Sequence, residues 1–242
     1  MNDTQKGNEL PQAEEIHANY SWHYHDKNSA LYYQKKFDRS ISSRMSSARE
    51  KRLVAKALAE AARIMGKKTN TLSLLDYPCG AGRFAPLLAS RVQGYLAGDH
   101  SPQMVDLTVQ TLRDHGLADS IIGTTSGDLR KSTLDNACVD LAASIRLLHH
   151  FHKSEDRIAI LSELRRISRG PLITTFRDAD SLKLRLHKQK RQKAGKPCNR
   201  SMLSIPEFTQ EAQQAGWNFH KAWHISSAFS GTCIALLTPL EG

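Results

Sequence analysis

Apolar positions along this chain recur in two rhythms that take turns. Over residues 46–65, Leu53, Val54, Ala57, Leu58, Ala61, Ala62 and Met65 fall at i, i+3 and i+4 and mark one buried helical face. Gly66-Lys67-Lys68 then closes the pattern with a glycine and lysines, as a helix C-terminus prefers. A shorter helical stretch is predicted at 30–37. From residue 72 onward, short apolar runs alternate with helical segments. Strands are predicted at 72–76, 93–98, 120–125, 138–144 and 171–176, and helices at 83–91, 102–115 and 154–168. Such alternation argues for an α/β fold, a parallel sheet with helices on both faces. Ser204-Ile205-Pro206-Glu207 opens one more helix, with a capping serine, proline in the first turn and glutamate three residues on; Gly216 stops it. Two last strand candidates, 217–225 and 232–238, have a short turn between them.

Composition narrows the class. The 242 residues are 40% hydrophobic, enough for one α/β domain plus an extension. No apolar run approaches the ~20 residues of a membrane span. The first fifteen residues are polar and carry Asp3, Glu9, Glu14 and Glu15, which does not fit a secretory leader. The cysteines at 79, 138, 198 and 233 are scattered and form no C-x-x-C pair, so reduced thiols in a cytoplasmic protein explain them better than a disulfide framework or a zinc site. Residues 1–27 read as loose, although Tyr20, Trp22 and Tyr24 make them too aromatic for a plain solvated tail. The expected division is an extension over 1–45, partly disordered and able to act as a lid, and a domain over 46–242 with a basic insertion at 181–203.

The densest chemistry lies in Asp76-Tyr77-Pro78-Cys79-Gly80-Ala81-Gly82-Arg83-Phe84, at the end of the first strand. Glycines at 80 and 82 let a ligand approach the backbone, because neither has a Cβ. Asp99 closes the second strand nineteen residues after Gly80. That is close to the ~20-residue offset at which a carboxylate takes ribose hydroxyls in nucleotide-binding folds. The third glycine of the dinucleotide fingerprint is missing, with Pro86 near its place, and no triphosphate loop is present. Asp-x-Pro-Cys-Gly-x-Gly followed by an acid at the end of strand two resembles the class I S-adenosylmethionine-dependent methyltransferases. The resemblance implies a doubly wound, mostly parallel sheet of seven strands closed by an antiparallel C-terminal hairpin. It covers roughly residues 50–238, with the specific motifs in the first half.

The same resemblance implies roles. Pro78, Gly80, Ala81, Gly82 and Arg83 would form the cofactor loop, and Asp76 would orient the cofactor's amino group. Asp99, with His100 beside it, would accept from both ribose hydroxyls, a task needing two acceptor oxygens. Asp128 and Leu129 fall where the family recognises adenine, although a turn aspartate that merely caps is the competing explanation. Ser144 and Ile145 would offer backbone groups to the methionine end. After them come Arg146, His149 and His150, in the segment facing the sulfonium and the acceptor. Methyl transfer from an activated sulfonium depends much on positioning. A hydroxyl acceptor would also gain from a base near neutrality, a role open to His149 or His150; one of them could equally pack against the nucleoside. A metal site is not expected from the histidines, since adjacent residues need not converge.

Charge is the last informative feature. Lys183, Arg185, Lys188, Lys190, Arg191, Lys193, Lys196 and Arg200 carry eight positive charges with no acid between Asp180 and Glu207. Removing these eight from the net +10 leaves +2, so the excess is local. A solvated face is one reading. The other is attraction of an anionic acceptor by Lys188, Lys190, Arg191 and Lys193, with Arg146 and Tyr33 as further substrate contacts: a small molecule, a nucleic acid, or an acidic lipid or glycolipid met at a membrane surface. An RNA methyltransferase is the alternative. Against nucleic acid, the chain has no Asn-Pro-Pro-Tyr or Asp-Pro-Pro-Tyr tetrapeptide and no appended RNA-binding module. A non-catalytic cofactor-binding scaffold is a third reading, opposed by the intact glycine loop and its acids.

Overall fold

The computed structural model describes residues 41–193, 201–226 and 230–240. Helix α1 (Ile41–Ile64) comes first, then β1 (Ser73–Asp76), α2 (Ala85–Ala89), β2 (Gly94–Asp99), α3 (Pro102–Asp114), β3 (Ile121–Ser126) and β4 (Leu141–Ser144). There follow α4 (Ser154–Ile167), β5 (Leu172–Arg177), α5 (Leu182–Lys193), α6 (Ile205–Gln214), β6 (Trp217–His224) and β7 (Thr232–Pro239). The seven strands form one sheet in the order β3-β2-β1-β4-β5-β7-β6, with only β7 antiparallel to its neighbours. The expected hairpin is present, and β7 sits between β5 and β6.

Alternate residues of each strand feed two cores. Leu74, Ala143, Ile173, Ile234 and Leu236 pack against α1, α2 and α3 through Val54, Leu58, Leu88 and Leu112. Leu75, Ala142, Leu172, Cys233, Ala235 and Leu237 face α4 and α6 through Ile160, Leu164, Phe208 and Ala212. A buried ion pair between Arg157 and Glu211 ties α4 to α6 within that second layer. Helices therefore cover both faces, as the alternation in the sequence requires.

Local signals place most boundaries. Ser204 caps α6 through a complete capping box with Glu207, with proline in the first turn. Three elements differ from expectation. Helix α1, predicted over 46–65, already starts at Ile41. The helix predicted over 83–91 is only Ala85–Ala89, because the turning Gly-x-Gly backbone delays its start and the chain must re-extend into β2. The strand predicted over 138–144 starts at Leu141; upstream only Val139 makes an isolated bridge, to Ser168. The basic insertion is no plain loop: residues 182–193 of it form α5.

Candidate functional site

Strands β1 and β4 lie side by side although β2 and β3 extend the sheet one way and β5 the other. This is the reversal in strand order outside whose carboxyl ends α/β sheets bind ligands. Three backbone bonds hold the loops there. Tyr77 N–H donates to Ala143 O at 2.9 Å, Cys79 N–H to Gly98 O at 2.8 Å, and Gly127 N–H to Asp99 O at 3.1 Å. The Tyr77 hydroxyl adds a hydrogen bond to Gly127 O.

The two loop glycines do different work. Gly80 has φ +57, and a Cβ there would meet nothing within 4 Å. Its face is open at the switch point, and a side chain would fill that opening. Gly82 has φ +77, and a Cβ there would stand 3.0 Å from the Thr111 side chain on α3. The missing Cβ at 82 also lets the loop pack on α3.

Asp99 ends β2 almost wholly buried. Its Oδ2 accepts from Gly80 N–H at 2.9 Å and its Oδ1 from Ser101 N–H at 3.0 Å, leaving each oxygen a further lone pair. Burial raises its pKa against these bonds. Asp76 is also buried, and its Oδ2 accepts from the Tyr95 hydroxyl at 2.7 Å. Burial is the main cause that pushes its carboxyl up to about 7; the Tyr95 bond lowers it and nearby Asp99 raises it further. Because the folded pKa lies above the ordinary value, Asp76 favours folding at low pH, and that contribution is lost as pH rises from about 4 through about 7. Stability of the ligand-free protein should therefore fall over this window, and Asp76→Asn should flatten the fall. Denaturant titrations at pH 5 and pH 8 test it; parallel profiles for the two proteins would count against a buried, protonated Asp76.

Past β4 the chain turns sharply. Ser144 is buried at the strand end, and its Oγ has no hydrogen-bond partner among the described residues. Ile145 is buried, and Arg146 takes φ 65, its N–H bonded to Thr175 Oγ1 at 2.6 Å. A 3-10 turn, Leu148–His150, then brings the His149 and His150 rings to 4.1 Å between centroids. His149 is buried and His150 half-buried.

Glu50 of α1 lies beneath both loops. It is fully buried; its Oε2 accepts from Arg83 Nη2 at 2.6 Å and Arg146 Nη2 at 2.8 Å, and its Oε1 from Arg146 Nε at 2.9 Å. Burial opposes ionisation, yet the two guanidiniums prevail and hold the carboxyl below its usual range. One carboxylate thus joins the glycine loop to the loop after β4.

Residues 74–170 match a family of methyltransferase domains. The matched span runs from β1 to just short of β5 and so takes in the whole switch point. The fold of the chain is shared with magnesium protoporphyrin IX methyltransferase (ChlM) from Synechocystis PCC 6803, solved with bound SAH: TM-score 0.73 at 17% identity, covering 93% of this chain and 99% of that one. A S-adenosylmethionine-dependent methyltransferase from Clostridium acetobutylicum ATCC 824 aligns with TM-score 0.63 at 12% identity, covering 89% and 98%. No curated protein matches the chain significantly in sequence.

The switch point brings together Asp76, Pro78, Gly80, Ala81, Asp99, Ser144 and Ile145. His100 is exposed beside them. Asp128 caps the 3-10 turn Leu129–Lys131 by accepting from Arg130 N–H at 3.0 Å, and it pairs with the Arg130 guanidinium at 2.7 Å. The capping role foreseen as its competitor is thus present. Leu129 is buried beside it. Arg83 and Arg146 converge on Glu50, which sequence reasoning missed. A signal existed, since Glu50 stands four residues before Val54 and seven before Ala57, on the stripe that faces the core. Lys190, Arg191 and Lys193 lie on α5 with Lys188. Tyr33, Lys196 and Arg200 lie outside the described residues.

The site fits the cofactor. Gly80 offers an open cradle at the switch point, Asp99 retains acceptor capacity at the end of β2, and the Ser144 hydroxyl lacks a partner among the described residues.

Proposed function

We propose that the protein transfers the methyl group of S-adenosylmethionine to a small anionic acceptor, onto an oxygen atom. The observation that carries the acceptor class is α5. It begins five residues after β5 ends, and β5 neighbours β4 in the sheet. It presents Lys183, Arg185, Lys190 and Arg191 without one acidic residue. Leu182 and Leu186 are exposed on the same helix, which suits an acceptor with an apolar body as well as a negative group. The similar ChlM protein is named for a small-molecule acceptor, magnesium protoporphyrin IX, which supports a small molecule over RNA.

When bound, S-adenosylmethionine supplies a methyl group already activated on a sulfonium. The chain's task is to hold and orient. Gly80, with Pro78 and Ala81, would receive the methionine end, and Asp76 would take its amino group. The remaining lone pairs of Asp99 would accept the ribose hydroxyls, and His100, Asp128 and Leu129 would frame the adenine. Ser144 and Ile145 would serve the methionine end, with Arg83 and Arg146 held by Glu50. An anionic oxygen attacks without help from a base. A hydroxyl needs one, and His150, half-buried beside His149, would take its proton.

Incubation with methyl-labelled cofactor and fractionated cell extract tests the acceptor class: label should enter small molecules retained on an anion exchanger. Label confined to RNA would overturn the reading. Changing Lys188, Lys190, Arg191 and Lys193 to alanine should raise the acceptor's KM while cofactor affinity changes little. The wild-type KM should climb with salt, because exposed charges are screened over about 8 Å at physiological ionic strength, and the variant's response should be flatter. Identical salt responses would make α5 a solvated face.

A further inference from the structure

Away from the switch point, three residues far apart in sequence meet at the carboxyl end of β5. Asp178 follows β5 directly, His224 ends β6, and Cys233 is the second residue of β7. The register explains the meeting. His224 and Cys233 are direct cross-strand partners, and Cys233 is also paired with Phe176. Asp178 lies two residues beyond Phe176, hence on the same side of the sheet. One candidate ligand atom from each side chain lies within 4.8 Å of the other two. The His224 Nε2 and Asp178 Oδ2 atoms are 2.9 Å apart.

We propose that Asp178, His224 and Cys233 form a binding site for a zinc-class divalent cation. The donor set is carboxylate oxygen, imidazole nitrogen and sulfur, the mixture that a borderline-soft ion such as zinc prefers over magnesium or calcium. A tetrahedral ion with bonds of about 2.0–2.3 Å holds its ligands about 3.3–3.8 Å apart. Separations of 2.9 Å to under 4.8 Å bracket that range, so side-chain rotation suffices. The frame is stiff: Asp178 N–H donates to Gly231 O at 2.7 Å, Asp178 bridges Leu203, and its Oδ1 accepts from Asp180 N–H at 3.0 Å.

Burial, with help from Asp178, holds the Cys233 thiol protonated up to about 12. A cation between the groups reverses that balance: the thiol proton leaves to solvent and the thiolate becomes a ligand. Asp178 and Cys233 are buried while His224 is half-buried, so one side of the site faces water. Three protein ligands leave a fourth position for water or an anionic oxygen, as open zinc sites do.

Untagged full-length protein, stripped with chelator, is titrated with zinc alone and with cobalt(II) as a spectroscopic stand-in. The expected result is one ion per chain, with a thiolate-to-cobalt charge-transfer band. Cys233→Ser should abolish that band, whereas Cys79→Ser and Cys138→Ser keep it. His224→Ala, at a half-exposed position that folding should tolerate, should weaken zinc at least tenfold. Failure of the wild type to bind, or equal binding by His224→Ala and a band that survives Cys233→Ser, overturns the site.

Discussion

Asp99→Ala should weaken S-adenosylmethionine binding by about a hundredfold. The carboxylate serves two sets of partners at once. Its oxygens accept from Gly80 and Ser101 N–H groups, and they retain lone pairs for the ribose hydroxyls. Hydrogen bonds to a charged group contribute about 1.5–3 kcal/mol, and alanine removes the ribose bonds and the tie that fixes the glycine loop. Asp99→Asn should do nearly as badly. Its amide NH2 would place a donor against the N–H of Gly80 or of Ser101, which already needs an acceptor. Calorimetry on folded variants decides the matter; binding by Asp99→Ala within threefold of wild type would remove Asp99 from the cofactor site.

The second large effect concerns stability. Glu50→Gln removes the carboxylate that Arg83 and Arg146 share beneath the two loops. Removing one partner of a buried ion pair costs about 3–5 kcal/mol. The guanidiniums are partly exposed, at 16% and 32% of their side chains, which points to the low end. At about 3 kcal/mol, a chain of this size should lose roughly 6–12 °C in Tm. The pH dependence carries a further sign. The folded pKa of Glu50 lies below its ordinary value, so its contribution is present above that value and is lost as pH falls. The wild type should lose stability in acid more steeply than Glu50→Gln, and the two should converge at low pH. A variant that melts with the wild type at pH 7 would sink the idea that this carboxylate holds the loops.

Local rules carried most of the fold. Strands such as Leu172–Arg177 are short apolar runs, and the capping box at Ser204 announces α6 unaided. The meeting of Gly80 with Asp99 was legible for the same reason: they sit at the ends of consecutive strands, so spacing alone aligns them. What stayed hidden depends on long-range meeting. Glu50 joins residues 33 and 96 positions away. The Asp178, His224 and Cys233 cluster comes from three strand ends that only the register brings together. The helical form of 182–193 was hidden by charge, since a run of lysines and arginines shows little apolar period.

One consequence follows from the single carboxylate shared by two loops. Outward movement of either the segment after β1 or that after β4 strips a guanidinium from Glu50 and leaves a buried carboxylate with less of its countercharge. Opening becomes concerted, and the first turns of α1 belong to the same cooperative unit. Amide hydrogens around residues 47–54, 80–84 and 145–150 should then exchange with one common opening free energy. Cofactor entry and departure would be timed by a helix that lies outside the matched span 74–170.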